Sequence, residues 1–225
     1  MARALARESR QRNNLAEGFV PEAPPSLTST PFVAQYALDE DMAMKQLSRL
    51  ALALRKRLLV RFTRPFEQGS VNGYVLDIGP RFFIVALVGE GGWFNGFGCF
   101  RLSDVRELQA PAKYAEFTKA ALKIRGERIP KKPRVTMGSL QELLRSSNRT
   151  FPLVTIHREK VDPGVCHIGR VMRLSTSRMS LLEIGPDARW DREPIEYRLS
   201  EVTEVDFGGD YEEALHLVGG APRTG

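Results

Sequence analysis

The apolar positions along this chain follow two different periods. Leu47, Leu50, Ala51, Leu54 and Leu58 recur at three- and four-residue spacing, the mark of an amphipathic helix. Asp39-Glu-Asp41 carries the negative charge that a helix N-terminus favours, and Arg55-Lys-Arg57 the positive charge that suits its C-terminus. The spacing therefore predicts a helix over 38–57, its stripe packed on the strands next in the chain. From Leu58 the pattern changes to short strands. Leu58-Leu-Val-Arg-Phe62 stops at Pro65, and an apolar–polar strand runs from Gly73 to Ile78. Gly79-Pro80 turns it into Phe82–Val88, nearly all apolar, which needs cover on both faces or a strongly bent sheet. The glycine-rich stretch 89–98 reads as a hairpin loop, and Phe100-Arg-Leu-Ser-Asp-Val105 closes the unit.

That unit occurs twice. Gly73-Tyr-Val-Leu-Asp-Ile78 returns as Gly169-Arg-Val-Met-Arg-Leu174, an offset of 96. Arg81-Phe-Phe-Ile-Val-Ala-Leu87 returns as Arg178-Met-Ser-Leu-Leu-Glu-Ile184, Trp93 as Trp190, and Phe100–Val105 as Tyr197–Val202, all at an offset of 97. The extra residue is thus expected between Gly73 and Arg81. A fixed period decides architecture before anything else. Five short strands in some 50 residues make one small, strongly bent barrel, with a strand glycine such as Gly73 at the corner.

The expected organisation has six parts. Residues 1–37, rich in proline, serine and threonine, form a disordered arm, and 38–57 the helix. Residues 58–111 are the first barrel and 112–150 a basic helical linker. Residues 151–218 are the second barrel with a C-terminal helix, and 219–225 a tail. Within the linker, Tyr114, Phe117, Ala121 and Ile124 mark the apolar face of one helix, and Ser139-Leu-Gln-Glu142 is a capping box opening a second over 140–147. The fold class is mainly β with α: two repeated small barrels joined by a helical linker.

A helix followed by five bent strands with a glycine in the second resembles the Sm-like and SH3-like small barrels. The second unit, with Asp162-Pro, Ile168-Gly-Arg-Val171, Ile184-Gly-Pro and Tyr197-Arg-Leu-Ser-Glu-Val202, also resembles a module of bacterial proteins without assigned function. Sm proteins bind RNA through an Asp–Asn pair in one loop and an Arg-Gly element near the last strands. Here Asp77 has no matching asparagine, and Arg101-Leu-Ser and Arg198-Leu-Ser lack the glycine. No site residue is carried over from that resemblance.

Charge adds a partner to this picture. The net charge is +6, but the linker 112–150 alone carries ten basic and three acidic side chains. The second half, 151–225, carries nine and thirteen. A basic linker of this kind suits an acidic partner, although an acidic neighbour could also neutralise it. No apolar run approaches the roughly 20 residues of a membrane helix, and the N-terminus shows no secretory signal. Cys99 and Cys166 fall at non-equivalent positions, so no disulfide framework is expected and the cytoplasm is the default compartment.

Catalytic motifs are missing. The stretch 89–98 lacks the Gly-Lys-Ser/Thr ending of a phosphate loop, and Gly69-Ser-Val-Asn-Gly73 is no nucleophile elbow. His157, Cys166 and His167, with Asp162 or Glu159, lack the spacing of a zinc site, and the first unit has no counterpart. Neither metal nor cofactor is expected, and the protein reads as a non-enzymatic binding protein. Two partners stand open. RNA or DNA would be held by Lys113, Lys119, Lys123, Arg125, Arg128, Lys131, Lys132 and Arg134, whose phosphate contacts would make binding salt-dependent. Trp93 and Trp190 would either stack on bases or close the barrel ends. Alternatively, the barrels dock a protein or self-associate through exposed strand edges.

Overall fold

A computed structural model describes the backbone of residues 30–66 and 69–222, with side chains from residue 43. The expected arm therefore lies largely outside the described residues. Helix α1 spans Thr30–Lys56, so it starts eight residues before the expected 38. Pro31 falls in its first turn, where the missing N–H would have had no helical partner. Asp39–Asp41 are consequently inside the helix rather than at its start. Leu50 and Ala53 are buried, whereas Leu47 and Ala51 of the expected stripe are exposed. Arg57 ends the helix with a positive φ of 49°. Its N–H donates to the Leu54 carbonyl and that of Leu58 to the Ala53 carbonyl, which closes the last turn.

The strands are β1 (Leu59–Phe62), β2 (Val71–Ile78), β3 (Phe82–Val88), β4 (Phe94–Arg101) and β5 (Leu108–Gln109), then β6 (Val154–His157), β7 (Cys166–Leu174), β8 (Arg178–Glu183), β9 (Ile195–Arg198) and β10 (Glu204–Phe207). They form one wholly antiparallel sheet, in the order β5-β1-β2-β3-β4-β10-β6-β7-β8-β9. The first five and the last five share one internal order. They meet where β4 pairs β10, with Cys99 opposite Val205. No residue pattern marks that junction, which makes one continuous sheet where the repeat alone predicts two separate domains.

Gly73 and Gly169 occupy matching places in the pairing. A Cβ at Gly73 would lie 2.2 Å from the Ala86 carbonyl oxygen, and one at Gly169 2.0 Å from that of Leu182, so only glycine fits either backbone approach. The registers relocate the extra residue. Gly73 pairs Leu87 and Gly169 pairs Glu183, and Ile78–Phe83 is matched by Leu174–Met179, so the offset remains 96 through β3 and β8. Phe83 then pairs Phe100 while Met179 pairs Tyr197, so the gain falls in the following hairpin, not before Arg81. The second half of the expected loop 89–98, from Phe94 on, is strand β4. The expected closing strands are also shorter, because Leu102–Asp104 and Leu199–Glu201 form 3-10 turns.

Helices α2 (Ala115–Ile124), α3 (Leu140–Thr150) and α4 (Asp210–Gly219) complete the fold. Ser139 caps α3, its Oγ accepting from the Glu142 N–H at 3.2 Å. The largest core cluster joins both halves: Phe82, Ile84 and Cys99 pack with Leu181, Val205 and Phe207, and with Leu143 and Leu144 of α3. A second cluster places Leu50 and Ala53 of α1 against Phe62, Phe83 and Phe100. Arg64 crosses the junction to Glu159, at 2.6 Å, and to Glu204. Among the described residues no helix is long and apolar enough to cross a membrane.

Candidate nucleic-acid interface

Helix α2 sits on a small cluster formed by Leu59 of β1 and Tyr74 of β2. It buries Ala115 and Leu122 there, together with Ala112 just before it. The expected apolar face is the outer one: Phe117 is 75% exposed and Ile124 87%. Ala121, of the same expected set, is half-buried, because it stands against Gly92 in the hairpin before β4, where a Cβ would lie 3.0 Å from its own. This orientation aims Lys119 and Lys123 at the groove between the helix and the segment after it.

Two adjoining clefts result, sharing Tyr74 and Ile129. The first, about 420 Å³, has Tyr74, Phe94 and Ile129 in its wall and Lys119, Lys123 and Arg128 around it. The second, about 330 Å³, has Tyr74, Leu54 and Pro130 in its wall and Arg57, Lys131 and Lys132 around it. Tyr74 and Phe94 stand 6.0 Å apart, centroid to centroid. Burial raises the Tyr74 phenol above its ordinary pKa, partly opposed by Lys119 and assisted by Glu116. It is therefore a neutral hydrogen-bond donor at physiological pH.

Five of the eight basic residues singled out in the sequence thus come together: Lys119, Lys123, Arg128, Lys131 and Lys132. The other three do not line the clefts. Lys113 lies over the Tyr114 ring, Arg125 lies over the Trp93 ring at 5.2 Å, and Arg134 is exposed beyond the second cleft. The tryptophans part company as well. Trp93 is 38% exposed under Arg125. Trp190 is half-buried, its indole N–H donating to the Gly220 carbonyl at 3.2 Å while its ring packs by Ile184 and Leu215. That placement makes Trp190 a packing residue with little face left for stacking.

The acidic second half does not neutralise the linker. Among the described residues, Lys119 pairs with Glu116 of its own helix at 2.8 Å, and Lys132 with Asp77 of β2 at 2.5 Å. Lys123, Arg128 and Lys131 have no carboxylate partner among them. The acidic groups of the second half are used locally: Asp162 and Glu201 hold Arg158, Glu183 meets His167 and Tyr197, and Asp206 meets His157. Arg57, Tyr74, Phe94 and Ile129 escape a reading of the sequence alone. Arg57 carries a visible charge but one already explained by the helix terminus, and the other three look like ordinary core residues.

The histidines singled out in the sequence do not share one centre. His167 Nδ1 lies 3.3 Å from Glu183, and His157 Nε2 lies 3.0 Å from Asp206. Cys166 is exposed, opposite His157 across β6 and β7. Donor atoms of His157, Glu204 and Asp206 do lie within 4.8 Å of one another, a spacing compatible with a cation. Arg64 already supplies positive charge against Glu204 there. Comparison with protein-family models, with curated proteins and with solved structures finds no match to this chain.

Proposed function

We propose that this chain is a non-enzymatic nucleic-acid-binding protein that grips phosphates through the segment 119–132. The observation carrying this reading is that Lys123, Arg128 and Lys131 project at two clefts without a carboxylate partner among the described residues. Unneutralised cations gathered on one face attract a polyanion, and their phosphate contacts release counterions. The fold belongs to the same proposal. Each half is read as a small bent barrel of the Sm-like and SH3-like kind, which the shared strand order supports. The cytoplasm is the proposed location, supported by the two unpaired thiols.

Charge reversal tests the phosphate grip. Lys123→Glu with Arg128→Glu is expected to abolish retention on duplex and single-stranded oligonucleotides at low salt. Arg189→Glu, on an exposed turn far along the chain, should leave retention unchanged. Equal loss in both variants would mean that only net charge matters and would sink the proposed face. A protein partner is the alternative, favoured by the exposed Phe117 and Ile124 on the outer face of α2.

A further inference from the structure

Cations alone would serve a duplex or a single strand equally well, but the walls between these cations are aromatic and apolar. Tyr74 stands at the centre, lining both clefts, and is only 3% exposed. Its hydroxyl makes no hydrogen bond among the described residues and, unlike the ring, reaches solvent where the clefts open. A neutral donor without a protein partner, set in the wall of an open cleft, is positioned for an acceptor on a ligand. Phe94 stands beside it in the first cleft, and Ile129 continues the wall into the second. Each cleft is large enough for a nucleobase, and cations lie around both. An apolar slot edged with lysine and arginine matches the two faces of a nucleotide, a flat base and a charged phosphate.

We infer that the two clefts take successive unpaired bases of a single-stranded nucleic acid, with Tyr74 as the shared wall and hydrogen-bond donor. This rests on the proposed phosphate grip and extends it. A duplex keeps its bases stacked and paired, so it can reach the cations but cannot fill the clefts. The arrangement also separates two kinds of residue. Lys123, Arg128 and Lys131 act on any nucleic acid, whereas Tyr74 acts only on a strand whose bases are free to enter. Tyr74→Phe removes the donor and leaves the ring that packs on Leu59 and Leu122.

The test uses the full chain and three probes of equal phosphate number: a single-stranded oligonucleotide, an abasic strand and a duplex. The single strand is run in ribose and deoxyribose forms. Binding is followed by fluorescence anisotropy at fixed low salt. The base-bearing single strand is expected to bind at least about tenfold tighter than the abasic strand or the duplex, since each stacked base contributes substantially to affinity. Tyr74→Phe should weaken the base-bearing strand by about fivefold, the worth of one net hydrogen bond, and leave the abasic strand and the salt slope unchanged. Thermal melting confirms that the variant is folded. Equal affinity for all three probes would overturn the inference while leaving the phosphate grip standing. Absence of binding to any probe would overturn both.

Discussion

At the scale of single residues, the structure couples strain and charge at Arg57 and protonation at His157. Arg57 holds a left-handed backbone that glycine adopts without a Cβ penalty, yet its side chain lies at the second cleft. Arg57→Gly should therefore stabilise the fold by about 1 kcal/mol in urea unfolding and weaken nucleic-acid binding in the same preparation. A variant that loses stability would refute the strain argument. His157 is raised from 6.5 to about 9: burial works against the charged ring, but Glu204, the hydrogen bond and charge of Asp206, and Glu159 outweigh it. The contribution of this ring is thus fully present below about pH 6.5 and lost as the pH climbs through 9. It amounts to about 3 kcal/mol at most. The stability gap between wild type and His157→Gln should be widest under mildly acidic conditions and nearly vanish above about pH 10. A gap independent of pH would contradict the charged ring.

Among the elements, α2 shows both what the sequence reveals and what it conceals. Its helical period is plain, but two sets of residues repeat at helical spacing. Tyr114, Phe117, Ala121 and Ile124 are the larger set, and hydrophobicity alone selects them. The structure buries Ala112, Ala115 and Leu122 instead, against Leu59 and Tyr74. Leu122→Ala is accordingly expected to cost about 2–5 kcal/mol, while Phe117→Ala should fall within about 0.5 kcal/mol of wild type. The opposite ranking in denaturant melts would restore the face that the sequence suggests. Strand glycines are more legible. Gly73 announces a close backbone approach wherever it sits, and its contact with the Ala86 carbonyl follows from that. The extra residue is harder to place, because Arg81 and Arg178 align by letter, whereas backbone pairing sets Phe82 against Arg178.

On the scale of the whole molecule, the decisive features are contacts between segments far apart in the chain. The junction of β4 with β10 carries no local signature, since any strand edge offers the same backbone groups. At one end of the sheet, Gln46 donates to the Val105 and Arg106 carbonyls and Arg49 to that of Leu108, so α1 covers carbonyls beside β5. That covering works against the self-association through this edge that the sequence leaves open. The clefts are equally non-local, joining the end of α1, β2, β4 and the segment after α2. The basic composition of that segment is legible in the sequence, and with it the expectation of an acidic partner. Which of its charges gather, and around which apolar walls, depends on the fold.

The most direct measurement of the phosphate grip is a salt titration of binding to a single-stranded oligonucleotide, on wild type and on Lys123→Ala/Arg128→Ala/Lys131→Ala. Log affinity should fall steeply with log salt, and the variant's slope should be shallower by about 0.7 for each lost contact. An unchanged slope, or no binding even at low salt, would contradict the account.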